Sequence, residues 1–238
     1  MTELTQFEQV NGIFMLLIVV LYWYIALKLF LKYTSLKDKN LLYLCLIFIF
    51  QSLTWLAPSV LFLSIILTGS LISFELYLLI GHALPLAVFF WIIIITELMF
   101  KDKQKLILYI IGIYYAFMVI IFFYLFFTDI SLIGELRGFL GFQQGPFLIV
   151  RNLSSMIITI VSVILFYHES HKSDNPQVRL RGTLFLTAIV FVFLGAFLHI
   201  ITGLAVLALI FFLLASLSYY SALLTPEWMK KRLIKETE

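Results

Sequence analysis

The chain has 238 residues, of which 63% are hydrophobic and 12% are charged, with a net charge of +3. Soluble domains hold about 45–50% apolar and about 25% charged residues, so a water-soluble fold of this size could not bury so much apolar surface. This excludes a cytosolic enzyme, a nucleic-acid-binding domain and a disordered chain, and the single cysteine excludes a disulfide scaffold. We predict an all-α, polytopic integral membrane protein.

Long apolar runs predict seven transmembrane helices. Each run is close to the ~20 residues that a helix needs to cross a bilayer, and the strand alternation typical of a membrane barrel is missing. The sixth and seventh spans share one apolar stretch without a charge between Arg181 and Glu227, which is too long for one span, so we divide it at residues 201–203. The predicted spans are residues 12–33, 41–68, 74–100, 105–127, 146–168, 182–201 and 203–224.

The basic residues predict the orientation, because cytoplasmic loops carry an excess of Lys and Arg. With the N-terminus outside, 14 of the 16 basic residues fall on the inner side, and only Arg137 and Arg151 fall on the outer side. The first ten residues contain Glu3 and Glu8 but no basic residue, so a cleaved signal peptide is not expected. We predict a multi-pass protein of the cell membrane, with its C-terminus in the cytoplasm and the lipid bilayer as its first partner.

The segments between the spans are short. The longest outer one, residues 128–145, has four glycines among apolar residues, and we expect a short amphipathic turn of helix there. The inner segment 168–180 carries His168 and His171, whose spacing differs from that of a zinc-binding helix. We interpret this inner segment as a solvated loop.

The sequence divides into a transmembrane domain, residues 1–225, and a short basic tail, residues 226–238. An interfacial tryptophan followed by a basic run is typical of a segment that lies on anionic headgroups or contacts a cytoplasmic partner. The candidate contact residues of this tail are Trp228, Lys230, Lys231 and Arg232.

Polar residues cluster in the outer half of several predicted spans, where each is costly and therefore suggests a function. We predict a ligand-binding pocket in which Arg151 pairs with Glu75 or with an anionic ligand, and in which the histidines donate hydrogen bonds or sense pH. A structural alternative is that Arg151 reaches the headgroups while the histidines satisfy backbone carbonyls between helices. The candidate ligand-binding residues are Glu75, His82, Arg151, Asn152, His199 and Trp55.

Catalysis, a bound metal and a cofactor are not predicted by any set of residues. The fourth span has no ionisable residue between Lys105 and Asp129, so the buried acids of a proton pathway are missing there. The prolines of spans one to three do not correspond to those of spans five to seven, so the sequence shows no internal repeat of the kind found in secondary transporters.

Seven helices with this orientation resemble the layout of microbial rhodopsins, of G-protein-coupled receptors and of the seven-helix sensory modules of prokaryotic histidine kinases. A retinal pigment needs a lysine in the last helix, and residues 203–224 contain none. The resemblance in topology implies a non-enzymatic sensor- or receptor-like protein, which binds a small ligand from the outside and signals to a cytoplasmic or membrane protein. The alternatives are a small-solute transporter or permease and a structural or assembly subunit of a membrane complex.

Overall fold

The protein is described by a computed structural model that covers residues 4–139, 142–200 and 205–224, with only the backbone given for residues 199, 200, 205 and 224. Most of this chain is helical, and one small antiparallel sheet is formed by β1 (Gly134–Leu136) and β2 (Phe142–Gln144). Two 3-10 turns lie at Lys101–Lys103 and Ile130–Leu132. The helices are α1 (Gln6–Leu36), α2 (Lys39–Thr68), α3 (Phe74–Gly81), α4 (Leu84–Met99), α5 (Gln104–Thr128), α6 (Pro146–His171), α7 (Pro176–Ile200) and α8 (Ala205–Leu224).

Seven helical segments in the described part of the chain are long and apolar enough to cross a membrane, as the sequence predicts. Five of them lie on the single helices α1, α2, α6, α7 and α8, one joins the 3-10 turn at Lys101–Lys103 to α5, and one combines α3 with α4. Helix α7 ends at Ile200 and α8 begins at Ala205, so the long apolar stretch is divided into two helices. The predicted turn at residues 201–203 lies outside the described residues.

Local polar groups set the ends of the first two helices. Helix α1 begins six residues earlier than predicted, because Thr5 and Glu8 form a capping box that satisfies two backbone N–H groups. The Asp38 side chain accepts a hydrogen bond of 2.9 Å from the Asn40 N–H at the start of α2. Gly69 ends α2 in the left-handed conformation, with φ 71°, which suits a residue without a side chain.

The chain divides into two compact units, Met1–Ile158 and Thr159–Glu238. In the first unit α1 packs closely on α2. A Cβ atom at Gly12 would overlap the ring of Phe62, so this approach depends on the absence of a side chain at position 12. Across the same helix pair the Trp23 indole donates a hydrogen bond of 2.8 Å to the Ser52 hydroxyl, and Ile18 is fully buried. A close approach at a small residue and a partly buried polar contact therefore contribute to the packing of these two helices.

In the second unit α7 packs on α8 and on the last turns of α6. Gly182 on α7 faces Ser170 on α6, and a Cβ atom at position 182 would lie 2.8 Å from the Ser170 Cβ. The rings of Phe166 and Phe185 meet edge to face, with their centroids 5.6 Å apart. Close approach at a glycine again sets the packing of the helices.

The third predicted span is interrupted between α3 and α4, at His82 and Ala83. Pro85 lies in the first turn of α4, where its missing N–H costs nothing. In a continuous helix the ring of Pro85 would clash with the carbonyl of Gly81, which is the last residue of α3. The proline therefore breaks the third span into two helices, and it places His82 at the end of α3.

The expected amphipathic turn of helix between α5 and α6 is wrong. Residues 130–132 form a 3-10 turn, and β1 pairs with β2 in register from Gly134–Gln144 to Leu136–Phe142. Glycines disfavour a helix here, and Gly138, at φ 93°, adopts a backbone conformation that side-chain-bearing residues rarely take. We call β1 and β2, together with residues 137–139 after β1, the hairpin.

The inner segment that was expected to be a loop is largely helical. Helix α6 continues to His171 and α7 starts at Pro176, so the prediction of a loop from 168 to 180 is wrong. The His171 Nδ1 lies 2.9 Å from the Tyr167 carbonyl, and Lys172 pairs with Glu169 at 2.8 Å. These contacts stabilise the last turn of α6 and explain why the helix extends beyond its apolar part.

Candidate ligand-binding site around Arg151

Arg151 is a buried cation near the start of α6. Its side chain lies in the second turn of the helix, and the residue is only 4% exposed. Guanidinium groups stay protonated in proteins. Among the described residues the ion pairs join Arg137 to Glu135 and Lys172 to Glu169, and both pairs are exposed. Arg151 therefore lies in the interior of its unit without a carboxylate partner from that part of the chain.

A neutral histidine takes the place of the missing carboxylate. The Nη1 atom of Arg151 lies 2.7 Å from the Nδ1 atom of His82. Because a guanidinium can only donate, we assign Nδ1 as the acceptor, which places the imidazole proton on Nε2. The Nε2 atom is buried and has no hydrogen-bond partner among the described residues. The pair thus leaves a buried donor unused on the histidine.

The break in the third span fixes the position of His82. The imidazole stacks on Phe122 of α5, with ring centroids 3.6 Å apart and planes inclined by 21°. Phe122 is 1% exposed and belongs to an apolar cluster that we call the aromatic cluster. Its buried members are Leu78, Phe122, Ile133 and Leu148, with Phe74, Tyr77, Leu125, Phe126, Ile130, Phe142 and Phe147 packed against them.

The other edge of the Arg151 guanidinium faces an amide. The Nε and Nη2 atoms donate to the Asn152 Oδ1 atom at 3.3 and 3.2 Å. The Asn152 Nδ2 atom in turn donates to the Gln144 Oε1 atom, at 3.1 Å, on strand β2 of the hairpin. Asn152 therefore links the buried cation to the exposed end of the hairpin. Gln144 was not predicted, although its place directly before the Gly145–Pro146 start of α6 could have indicated it.

Two tyrosines of α5 hold the backbone of α6 beside Arg151. Tyr114 donates to the Ser154 hydroxyl, which in turn donates to the Arg151 carbonyl at 2.9 Å. Tyr115, which is 5% exposed, donates to Ser155 at 3.2 Å. These contacts were not predicted. The sequence carried a signal for them in two adjacent serines of one span and two adjacent tyrosines of the span before it.

The remaining predicted site residues lie elsewhere or are not described. Glu75 is exposed in the first turn of α3 and does not pair with Arg151. Trp55 is half-buried on α2, where its carbonyl accepts a hydrogen bond from Ser59. The side chain of His199 and the residues of the basic tail lie outside the described part of the chain. A ligand-binding role for these residues stays a prediction.

The described residues include no group of three or more His, Cys, Asp or Glu side chains that could hold a metal ion. A separate depression of about 510 Å³ lies at the ends of α1 and α2, and it is lined mainly by apolar side chains, among them Ile13 and Phe62. It offers fewer groups for specific recognition than the surroundings of Arg151. Comparison of the chain with protein-family models, with curated proteins and with solved structures finds no match.

Proposed function

We propose that this chain is a polytopic membrane protein that acts as a sensor or receptor. In this proposal it is not an enzyme: it binds a small ligand from the outer side beside Arg151 and signals through a cytoplasmic partner. The observation that carries the proposal is the buried Arg151 cation, which has no carboxylate partner among the described residues and which lies beside the unused donor of His82.

The exposed surface of the helices supports a membrane location. Helix α5 presents large apolar side chains along its length, with exposures between 62% and 79%. In water such a surface would be unfavourable, whereas in lipid it contacts acyl chains at no cost. These exposed residues are Leu106, Tyr109, Ile120, Tyr124 and Phe127.

The predicted orientation would place the site in the outer half of the membrane. Arg151 lies five residues after the start of α6, which corresponds to about 8 Å along the helix. His82 lies eight residues after the start of the third span, and both spans run inward if the N-terminus is outside. A ligand from the outer side would then meet the hairpin and Gln144 first.

Electrostatics favours a ligand over a purely structural role. A buried charge without a partner costs several kcal/mol, and proteins normally offset this cost with a carboxylate. His82 and Asn152 supply only neutral acceptors. A bound anion would recover the missing Coulomb energy, so binding would raise the stability of the folded state.

Helix α6 offers a route for the signal, because the same helix carries Arg151 near one end and His171 at the other. Twenty residues of helix span about 30 Å, which is the thickness of the hydrocarbon core. A ligand that bound one orientation of α6 better than another would shift the population of states at the inner end.

A thermal-shift screen of the purified protein against small molecules tests the proposal. The expected result is a hit that raises the melting temperature of the wild type and of Arg137→Ala, and that is lost in Arg151→Ala. Arg137 is the matched control, because it is an exposed arginine that lies in the hairpin, directly after β1. A hit retained in Arg151→Ala, or no hit in a broad panel, would contradict the proposal.

A small-solute permease is the second candidate, and it differs from a sensor in producing net flux of its ligand across a membrane. A permease would carry its ligand across sealed liposomes, whereas a sensor would bind it without net flux. Stable co-purification with one integral membrane protein, without any ligand effect, would instead favour a structural subunit.

A further inference from the structure

The geometry around Arg151 points to the chemical class of the ligand. We propose that it is a small monocarboxylate, whose carboxylate binds the Nε–Nη2 edge of Arg151 in the place that the Asn152 amide oxygen occupies. This inference rests on the proposed function, since it specifies the ligand of the same site.

At the Nε–Nη2 edge of Arg151, the Asn152 amide oxygen accepts the two hydrogen bonds that a carboxylate would accept more strongly. The Nε and Nη2 groups form a parallel pair of donors, which matches the two oxygens of a carboxylate. In the structure one neutral oxygen, Asn152 Oδ1, serves both donors at 3.3 and 3.2 Å. Charged pairs of this kind lie at about 2.7–2.9 Å, so a carboxylate would satisfy the two donors better than the amide does.

The Nε–Nη2 edge of Arg151 faces the side of the first unit that is nearest to exposed Gln144. Asn152 continues to Gln144, which is exposed on the hairpin, whereas the Nη1 atom faces buried His82 and Phe122. Rotation of the Asn152 side chain would uncover the Nε–Nη2 edge and would break the hydrogen bond to Gln144. Binding would therefore release one contact between α6 and the hairpin.

The charge of the surroundings selects a monoanion. Arg151 supplies one positive charge, and His82 is neutral because its Nδ1 accepts from the guanidinium. A dianion such as sulfate or a dicarboxylate would leave one negative charge buried without a partner. Leu148, a buried member of the aromatic cluster, lies one helical turn before Asn152 on α6, so a ligand beside Asn152 would have apolar neighbours and only a short apolar body would fit there.

The first test compares ligands that differ only in charge. Melting temperatures are measured with acetate, propionate and butyrate, and with propionamide as the neutral isostere, at constant ionic strength with chloride as the reference anion. We expect stabilisation by the carboxylates alone, and an affinity for propionate that is at least about tenfold weaker in Arg151→Lys, because lysine cannot donate in a parallel pair. Arg137→Ala should bind propionate like the wild type. Equal effects of propionate and propionamide, or no effect of any carboxylate over chloride, would overturn the proposal.

The second test places the carboxylate on the protein itself. Asn152→Asp should pair with Arg151, raise the melting temperature without ligand and abolish the response to propionate. Asn152→Ala removes the internal competitor, so it should bind propionate at least as tightly as the wild type. An Asn152→Asp variant that melts lower than Asn152→Ala, or that still responds to propionate, would overturn the proposal.

The two proposals fail in different ways. If the broad screen yields a neutral ligand that is lost in Arg151→Ala while carboxylates have no effect, the monocarboxylate is wrong and the sensor proposal stands. If propionate binds as expected and crosses sealed liposomes faster with the wild type than with Arg151→Lys or with empty liposomes, the site stands and the sensor proposal is wrong.

Discussion

At the scale of single residues, the arrangement around Arg151 resolves a conflict between charge and burial. A guanidinium at 4% exposure would normally be paired with a carboxylate, and here His82 and Asn152 share that role as neutral acceptors. Such partners satisfy hydrogen bonds but compensate no charge. An anion bound at this edge would therefore add charge compensation that these acceptors do not supply.

Replacing His82 should destabilise the protein through the loss of one acceptor. In His82→Leu the Arg151 Nη1 group loses its partner at 2.7 Å, and an unsatisfied buried donor costs about 1–3 kcal/mol, more if charged. A clearly lower melting temperature in detergent is expected. His168→Leu, at an exposed position of α6, is the control and should melt like the wild type. Equal melting temperatures of the two variants would show that the Arg151–His82 contact does not contribute to stability.

The centre of the site was predictable from the sequence, and its supports were not. Arg151, Asn152 and His82 stand out because polar residues in apolar spans are rare. Gln144 and Tyr115 reach Arg151 or its neighbours only through the hairpin and through the register between α5 and α6. Hydropathy contains no information on that register, because it depends on which faces of the helices pack together.

At the scale of elements, small residues set how closely helices approach. In the second unit Gly182 leaves no space for a side chain, because Ser170 of α6 lies directly against it. A methyl group added at position 182 would overlap the Ser170 side chain. The overlap is relieved only if the helices move apart or if Ser170 adopts another rotamer.

Gly182→Ala should therefore destabilise the protein, and Ser170→Gly should rescue it. Overpacking of this kind costs about 1–3 kcal/mol, and removing the Ser170 side chain relieves the overlap at the cost of about 1 kcal/mol for a helical glycine. A double-mutant cycle of melting temperatures measures the coupling between the two positions. Gly112→Ala is the control, since its nearest neighbour would lie 3.6 Å away. Additive effects of the two substitutions would contradict the packing described here.

Element boundaries show where hydropathy is informative and where it is not. The seven long helices follow from runs of apolar residues, which any bilayer-crossing helix needs. Hydropathy does not identify the hairpin, because its leucines and phenylalanines alternate with glycines over too short a length to show a period. Helix α6 extends to His171 through polar capping contacts, which hydropathy does not register.

For the chain in its membrane, the predicted orientation puts the hairpin and the end of α6 on opposite sides of the bilayer. Single cysteines at Glu135 and at Lys172, in a Cys45→Ala background, provide a matched pair, since both side chains are more than half exposed in ion pairs. A membrane-impermeant maleimide should label Glu135→Cys in intact cells and Lys172→Cys only after permeabilisation. Labelling of both positions in intact cells would contradict the predicted orientation.

Whether ligand binding at Arg151 alters the inner end of α6 can be measured with a fluorescent label. The Lys172→Cys variant, in the same background, is labelled with an environment-sensitive fluorophore, placed in nanodiscs and titrated with propionate. If binding is transmitted along α6, we expect a fluorescence change that saturates at the concentrations which raise the melting temperature, and that is absent in Arg151→Lys. Stabilisation by propionate without any change at position 172 would show that binding stays local, and it would contradict the proposal of a sensor.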